Sequence, residues 1–133
     1  MSGKPFLDTN ILIYAFASND PRSARAEVLV SAGGVISVQV LNEFVDVCRR
    51  KIRLDWHKIE SALKIISDLL EPPLAISREL HEQAIEVART HRLSFFDSLI
   101  VSAAATLNCD TILTEDLQHD QKIGPVTIRN PFR

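Results

Sequence analysis

Short apolar segments alternate along the chain with longer segments in which apolar residues recur at helical spacing. The short segments predict strands: one that ends at Asp8, then 35–37, 74–76, 111–113 and 126–128. The longer segments predict helices over 11–16, 21–32, 39–51, 56–71, 78–91 and 95–107. Strands that alternate with helices are typical of a parallel sheet with helices on both faces. We therefore expect one α/β domain over residues 1–133, with four to five short strands.

Capping and breaking residues lie at the predicted helix boundaries. The predicted N-terminal caps are Asp20, Asp55, Ser77 and Ser94. The predicted stops are Gly33-Gly34 and Pro72-Pro73. These signals agree with the apolar periodicity and support the same set of helices.

The composition allows a folded core and removes several function classes. Hydrophobic residues make up 46% of the 133 residues, and the formal net charge is −2. Overall charge therefore predicts no broad attraction to nucleic acid, so such a partner would need a local basic patch or a metal ion. The N-terminus lacks a secretory signal pattern, and no apolar run is long enough to span a bilayer. With Cys48 and Cys109 in apolar surroundings, we expect a soluble cytoplasmic protein with no membrane partner.

Two acids follow predicted strands. Asp8 ends the first strand, and Asp116 comes directly after 111–114. The carboxyl ends of parallel strands are where open α/β sheets place their ligand sites. Each acid also has a simpler interpretation, because Asp8 could cap the next helix and Asp116 could be a solvated loop acid.

Two further acids lie on helices that are predicted to enter from the same edge. Glu43 shares an apolar helix face with Val40 and Val47, and Asp97 lies in a first turn after Ser94. Glu43 could instead be an edge charge or half of a structural ion pair. Asp97 also fits a capping-box pattern, which is compatible with a second role.

Several carboxylates in one pocket repel one another unless a cation joins them. Oxygen ligands without Cys or His select Mg²⁺ or Mn²⁺, ions that polarise phosphate oxygens and activate bound water. Because the chain has no phosphate-binding glycine loop, an acidic pocket favours phosphodiester hydrolysis. Zinc-type histidine spacing and a serine-hydrolase elbow are also missing from the sequence.

At these residues the sequence resembles the PIN-domain ribonucleases, specifically the VapC-type toxins of toxin–antitoxin pairs. Four segments carry the resemblance, in the family's order: F-L-D-T-N-I-L-I-Y-A, I-S-V-Q-V-L-N-E-F, F-F-D-S-L-I-V-S-A-A and I-L-T-E-D-L-Q-H. The resemblance implies an endoribonuclease with one or two Mg²⁺ or Mn²⁺ ions and an RNA substrate. It also implies a homodimer and a small cognate antitoxin.

The resemblance assigns the four catalytic and metal-binding acids to Asp8, Glu43, Asp97 and Asp116. It makes Thr9 and Thr114 supporting polar residues. Asn10 and Asn42 are candidate substrate contacts, and Glu115 is a lesser site candidate. One departure lies at Asp120, where relatives often carry Gly, and it bears on the loop conformation.

Two other functions remain open. A PIN-like module could bind RNA or protein without catalysis, although all four acids are present. A phosphoacceptor signalling domain is also a small parallel α/β fold with an acidic Mg²⁺ site, but here Thr9 follows Asp8 and no Lys follows the last strand. The candidate RNA-contacting cations are Arg22, Arg25, Arg49, Arg50, Lys51 and Arg53.

Overall fold

A computed structural model describes residues 3–133. Its α-helices are α1 (Thr9–Ala15), α2 (Ser23–Ser31), α3 (Val38–Val47), α4 (Trp56–Leu69), α5 (Arg78–His91) and α6 (Phe95–Thr106). Its strands are β1 (Phe6–Leu7), β2 (Thr111–Leu113), β3 (Lys122–Ile123) and β4 (Val126–Arg129). A π-helical segment, Cys48–Ile52, continues α3. The predicted helix 39–51 is therefore two structures, an α-helix and a π-helical segment.

The sheet has the order β1-β2-β4-β3. The first three strands are parallel, with Phe6 opposite Ile112 and Ile112 opposite Ile128. β3 runs antiparallel to β4. The α/β architecture expected from the sequence is confirmed, and the antiparallel β3 is an addition because its two residues fall in a segment expected to be loop.

Two predicted strands are shorter than expected. Val35 forms an isolated parallel bridge to Phe6, and Ser37 forms another to Leu74. The backbone N–H of Val38 also donates to Leu74 O, at 2.9 Å. The segments 35–37 and 74–76 thus extend the parallel sheet by single bridges, since α3 begins at Val38 and leaves no length for a ladder.

The core lies where the helices cover the sheet. Phe6, Leu7, Ile112 and Ile128 are fully buried in its strands. Helix α6 is buried almost all round, from Ser98 through Ala104, and it contacts α5, β2 and β4. A helix that is apolar on every side belongs in the interior, so α6 fixes the position of its own N-terminus against the sheet.

Side-chain caps define the starts of several helices. The hydroxyl of Ser94 accepts from Asp97 N and that of Ser77 accepts from Leu80 N, while Asp55 accepts from Lys58 N. These three predicted caps are confirmed. The prediction for Asp20 was wrong, because α2 begins at Ser23 without a side-chain cap. The Asp20 carboxylate instead accepts from Arg22 N.

Both cysteines are buried and neither forms a disulfide within residues 3–133, in agreement with a packing role. Among residues 3–133, no helix combines the length and apolar character needed to cross a lipid bilayer.

Candidate functional site

Three elements bring their ends to the carboxyl edge of the sheet. β1 leads directly into α1 through Asp8, and β2 ends just before Thr114. α6 precedes β2 and packs against it. Because a helix that connects to a parallel strand runs back antiparallel to it, the first turn of α6 lies at this same edge. The edge therefore collects side chains from distant parts of the chain.

Asp8 is the buried centre of this edge, with 4% of its surface exposed. Its Oδ1 accepts from Thr9 N at 2.7 Å, and its Oδ2 accepts from Thr114 Oγ1 at 2.8 Å. Burial, together with the nearby charges of Asp116 and Glu43, raises the pKa of Asp8 to about 6 against the lowering effect of these hydrogen bonds. Asp8 thus caps α1 and also carries a poorly solvated negative charge.

The fully buried hydroxyl of Thr114 connects this carboxylate to its neighbours. It donates to Asp8 and accepts from Asn10 Nδ2 at 3.1 Å and from Asp116 N at 3.0 Å. One donor and two acceptor positions are all that a hydroxyl offers. The side chain at Thr114 is therefore saturated, and it fixes the start of the segment that carries Asp116.

Asn10 joins α1 to that same segment with three hydrogen bonds. Its Nδ2 donates to Thr114 Oγ1 and to Asp116 Oδ2, both at 3.1 Å. Its Oδ1 accepts from Glu115 N at 3.2 Å. The Asn10 amide, expected as a substrate contact, thus forms its hydrogen bonds within the protein. Asn42, the other expected substrate contact, is exposed on α3.

Glu43 reaches the edge from α3. Its Oε1 accepts from Thr9 Oγ1 at 2.6 Å, and its Oε2 accepts from Gln39 Nε2 at 3.1 Å. Thr9 therefore links two carboxylates, because its backbone N–H binds Asp8 while its hydroxyl binds Glu43. Asp8, Glu43 and Asp116 are brought together in this way from three separate segments.

Asp97 lies in the first turn of α6 and is half-buried. Its backbone N–H donates to Ser94 Oγ at 3.1 Å. The preceding residue, Phe96, lines a cavity of about 360 Å³ together with Gln39, Asn42, Glu43 and Asp46. In the part of the chain that the structure describes, no side-chain hydrogen bond joins Asp97 to the other three acids. Asp97 is thus at the same edge but separate from the hydrogen-bonded set.

A second cavity, of about 470 Å³, adjoins the acids on the other side. Its lining includes Glu43, Asp116, Thr9 and Asn10 together with Lys51 and Ile52. Asp46 borders both cavities. The acids therefore lie in a cleft that is open to a ligand larger than an ion.

Glu115 points away from this cleft. Arg22 Nη1 donates to its Oε1 at 2.9 Å, and the hydroxyl of Tyr14 donates to its Oε2. The Arg22 guanidinium also lies over the Tyr14 ring, 3.8 Å from its centre, and pairs with Asp20. Burial together with the hydrogen bond and charge of Glu115 raises the pKa of Tyr14 to about 12. The ion pair between Glu115 and Arg22 therefore anchors the segment that carries Asp116.

Comparison with known families identifies this arrangement. The family model for the PIN domain matches residues 6–123, which include all four acids. This chain belongs to the PIN-domain family. None of the curated proteins matches its sequence.

Solved structures share the PIN fold of this chain. Three of them are VapC20 of Mycobacterium tuberculosis, a sarcin–ricin-loop-cleaving toxin (20% identity, TM-score 0.69, 85% of this chain and 92% of that one), VapBC2 of Rickettsia felis bound to a promoter DNA fragment (23%, 0.68, 94% and 96%), and a toxin–antitoxin complex of Klebsiella pneumoniae (18%, 0.71, 96% and 98%). These identities are low, so the likeness is one of fold.

The donor set of this PIN domain fits a hard divalent cation. Asp8, Glu43 and Asp116 offer only carboxylate oxygens, which Mg²⁺ and Mn²⁺ prefer. Within residues 3–133, the hydrogen bonds that these carboxylates accept come from neutral hydroxyl, amide and backbone groups. Among the same residues, no three His, Cys, Asp or Glu side chains lie close enough together to form a complete metal-binding site. The charge of a cation is therefore accommodated, while Glu43 or Asp116 must move to complete its coordination.

Three further residues of the PIN site were not expected from the sequence. Gln39 and Asp46 lie four residues before and three residues after Glu43, so helical spacing places them on its face. Tyr14 lies one turn after Asn10 on α1. Spacing could have indicated the first two, but the partner of Tyr14 is about a hundred residues away and only the fold reveals it.

Proposed function

We propose that this PIN domain is a Mg²⁺- or Mn²⁺-dependent endoribonuclease that hydrolyses RNA phosphodiester bonds. The observation that carries the proposal is the convergence of two carboxylates, Glu43 and Asp116, on the buried Asp8, whose pKa their charges help to raise. Holding like charges together in this way is unfavourable without a cation. An acidic cleft of this kind is suited to phosphate chemistry assisted by a metal.

The proposed ligands are Asp8, Glu43, Asp97 and Asp116. When bound, the ion would supply positive charge to the phosphate oxygens and lower the pKa of the attacking water. Thr114 and Thr9 orient Asp8 and Glu43 by donating to them, and Asn10 holds Asp116. These contacts keep the carboxylates aimed at the cleft before substrate arrives.

We further propose that the enzyme acts in the cytoplasm as the toxin of a toxin–antitoxin pair and forms a homodimer. Its PIN family and its structural likeness to VapC20 and to two toxin–antitoxin complexes support this role. The proposed partners are an RNA substrate and a cognate antitoxin.

A catalytically silent RNA- or protein-binding PIN module is the second candidate. The separation of Asp97 from the other acids, and the absence of a closed cage among residues 3–133, favour it. The two candidates differ in one measurable property, because only the nuclease couples metal binding to RNA cleavage.

The test compares wild type with Asp97→Asn in RNA cleavage assays with Mg²⁺, Mn²⁺ or EDTA. We expect cleavage that requires metal and falls by about 100-fold or more in Asp97→Asn, since charge stabilisation of this kind is commonly worth that much. Asp97 has no side-chain hydrogen bond to the other site residues described, so the variant should fold, and circular dichroism checks this.

Glu79→Gln is the matched control. Glu79 is an acid in the first turn of α5, so its removal costs the same helix-terminus interaction as removal of Asp97. It should leave cleavage unchanged. Equal cleavage by wild type and Asp97→Asn would refute the proposed site, and RNA binding without cleavage at saturating Mn²⁺ would establish the silent module.

A further inference from the structure

A group of exposed residues follows the cleft where α3 gives way to α4. We call it the basic patch, and it consists of Arg49, Arg50, Lys51, Ile52, Arg53 and Trp56. The π-helical segment Cys48–Ile52 and the left-handed backbone of Arg53 (φ 62°) turn the chain here. Four cations are thereby concentrated in a chain whose formal net charge is −2.

The patch also exposes apolar surface. Trp56 is 55% exposed and Ile52 is 40% exposed. The Arg49 guanidinium lies 4.7 Å from the centre of the Trp56 ring, and it donates to Leu54 O at 3.1 Å. Arg49 thus steadies the indole against the turn. An indole held in place and open to solvent provides a flat surface for stacking.

The cations of the patch differ in how they are used. Arg50 pairs with Asp46 through two hydrogen bonds of 2.9 Å. Within the described residues, Lys51 and Arg53 have no ion-pair partner, and both are exposed. Two charges are therefore available to an anionic ligand.

The patch is continuous with the acid-lined cleft. Lys51 and Ile52 line the 470 Å³ cavity together with Glu43 and Asp116. A ligand in this cavity that reaches the acids therefore also contacts the Lys51 side of it. Since phosphodiesters alternate with bases along a single strand, such a strand matches a row of cations beside an aromatic ring.

We propose that the basic patch binds single-stranded RNA next to the cleft, with a base stacked on Trp56 and phosphates at Lys51 and Arg53. This inference rests on the proposed nuclease function and adds the route by which the substrate enters. Lys51 lines the same cavity as Glu43 and Asp116, so it guides the phosphate adjoining the cleavable bond. Trp56 gives stacking without base preference, because every base has an aromatic face.

Trp56 is the only tryptophan in the chain, so its fluorescence reports on this patch directly. The experiment titrates wild-type protein with a single-stranded RNA oligonucleotide of mixed sequence, in EDTA and at low salt, where metal-dependent cleavage is absent. We expect saturable quenching as the base stacks. The same affinity measured by anisotropy should fall by about fivefold or more in Trp56→Leu and be largely restored in Trp56→Phe.

Arg53 has a close structural match elsewhere in the fold. Arg92 is also an exposed arginine with left-handed backbone (φ 56°) that ends a helix, α5. Arg53→Gln and Arg92→Gln therefore remove the same charge from the same backbone geometry. We expect Arg53→Gln to weaken RNA binding and to reduce the salt slope by about 0.7, and Arg92→Gln to change neither.

The outcomes separate this inference from the proposed function. Metal-dependent cleavage without any quenching would overturn the patch and leave the nuclease intact, whereas quenching without cleavage would support the patch in a silent module. Equal RNA affinity of the two arginine variants would also overturn it. Fluorescence that changes with protein concentration, with no response to RNA, would assign the patch to contact with a second copy of the chain instead.

Discussion

The acids at the carboxyl edge of the sheet fall into two groups that are held very differently. Asp8 and Asp116 belong to the strand-borne group, which Thr114 and Asn10 join by hydrogen bonds. The Thr114 hydroxyl donates to Asp8 and accepts from Asp116 N, and Asn10 donates to Thr114 and to Asp116. Glu43 and Asp97 belong to the helix-borne group and are partly buried, whereas Asp8 is buried and Asp116 is exposed. Glu43 has two hydrogen bonds from neighbouring side chains, and Asp97 has none to the other acids described.

This contrast indicates that the two groups contribute differently to stability and to activity. In the strand-borne group the Asp8 carboxylate and the Thr114 hydroxyl are fixed in advance, because these buried polar atoms would lose much free energy if they were left unpaired. The helix-borne group can move toward an ion or a substrate without breaking a buried network. We therefore expect changes in the strand-borne group to alter stability, and changes in the helix-borne group to alter activity alone.

Replacing the central hydroxyl should have the largest effect on stability. Thr114→Val keeps the shape but takes the donor from Asp8 and the acceptor from Asn10 and Asp116 N. We expect a loss of about 3–4 kcal/mol in the free energy of unfolding, measured in urea. Thr111→Val, at the start of the strand that precedes Thr114, should cost less than about 1 kcal/mol. Similar losses in the two variants would contradict the central role of Thr114.

The buried charge predicts an unusual dependence of stability on pH. Since burial raises the pKa of Asp8 from 3.8 to about 6, the folded protein keeps a proton that the unfolded chain releases in this interval. The stabilisation that this proton contributes is complete below about pH 4 and is lost as the pH rises through 6. A pKa difference of two units corresponds to about 3 kcal/mol in the free energy of unfolding. Mn²⁺ should oppose the loss, because a cation favours the carboxylate form.

Urea unfolding between pH 4.5 and 7.5, with and without Mn²⁺, measures both effects. Asp8→Asn should flatten the pH dependence and remove the response to Mn²⁺. Asp68→Asn, an exposed acid on α4, should keep the wild-type behaviour. An unchanged slope in Asp8→Asn would show that another group controls the stability.

The smallest expected effect is a difference in the free energy of unfolding between variants of two asparagines, one on each side of the cleft. Asn10 on α1 has three side-chain hydrogen bonds, and Asn42 on α3 is exposed. Asn10→Ala should lower the free energy of unfolding by about 1–2 kcal/mol, and Asn42→Ala by less than about 0.5 kcal/mol. Both residues are helical, so the gain in helix propensity cancels in the comparison. Equal losses would remove the distinction between the two groups.

Much of the fold could be predicted because the signals are local. Helical periodicity and the caps at Asp55, Ser77 and Ser94 depend on residues three or four positions apart. The position of Asp8 between a strand and a helix follows from the same local pattern. The strand predictions were less accurate at 35–37 and 74–76, since strand pairing depends on distant segments and these two form only isolated bridges.

The departure at Asp120 shows how local chemistry can tolerate a substitution. Its backbone is left-handed (φ 68°), a conformation that favours Gly and is open to Asp more than to most residues. The carboxylate pairs with Arg129, and the backbone N–H donates to Ile128 O at 2.8 Å. The loop therefore keeps the geometry that a glycine would allow.

By itself, the sequence determined the alternation of strands and helices, most helix boundaries and the four acids as the residues to examine. These properties depend on spacing and side-chain chemistry, which the sequence states directly. Only the tertiary structure decided that Asn10 binds Thr114 across more than a hundred residues and that Glu115 turns away to Arg22. Such contacts join segments that come together only when the sheet and its helices pack, so no local pattern contains them.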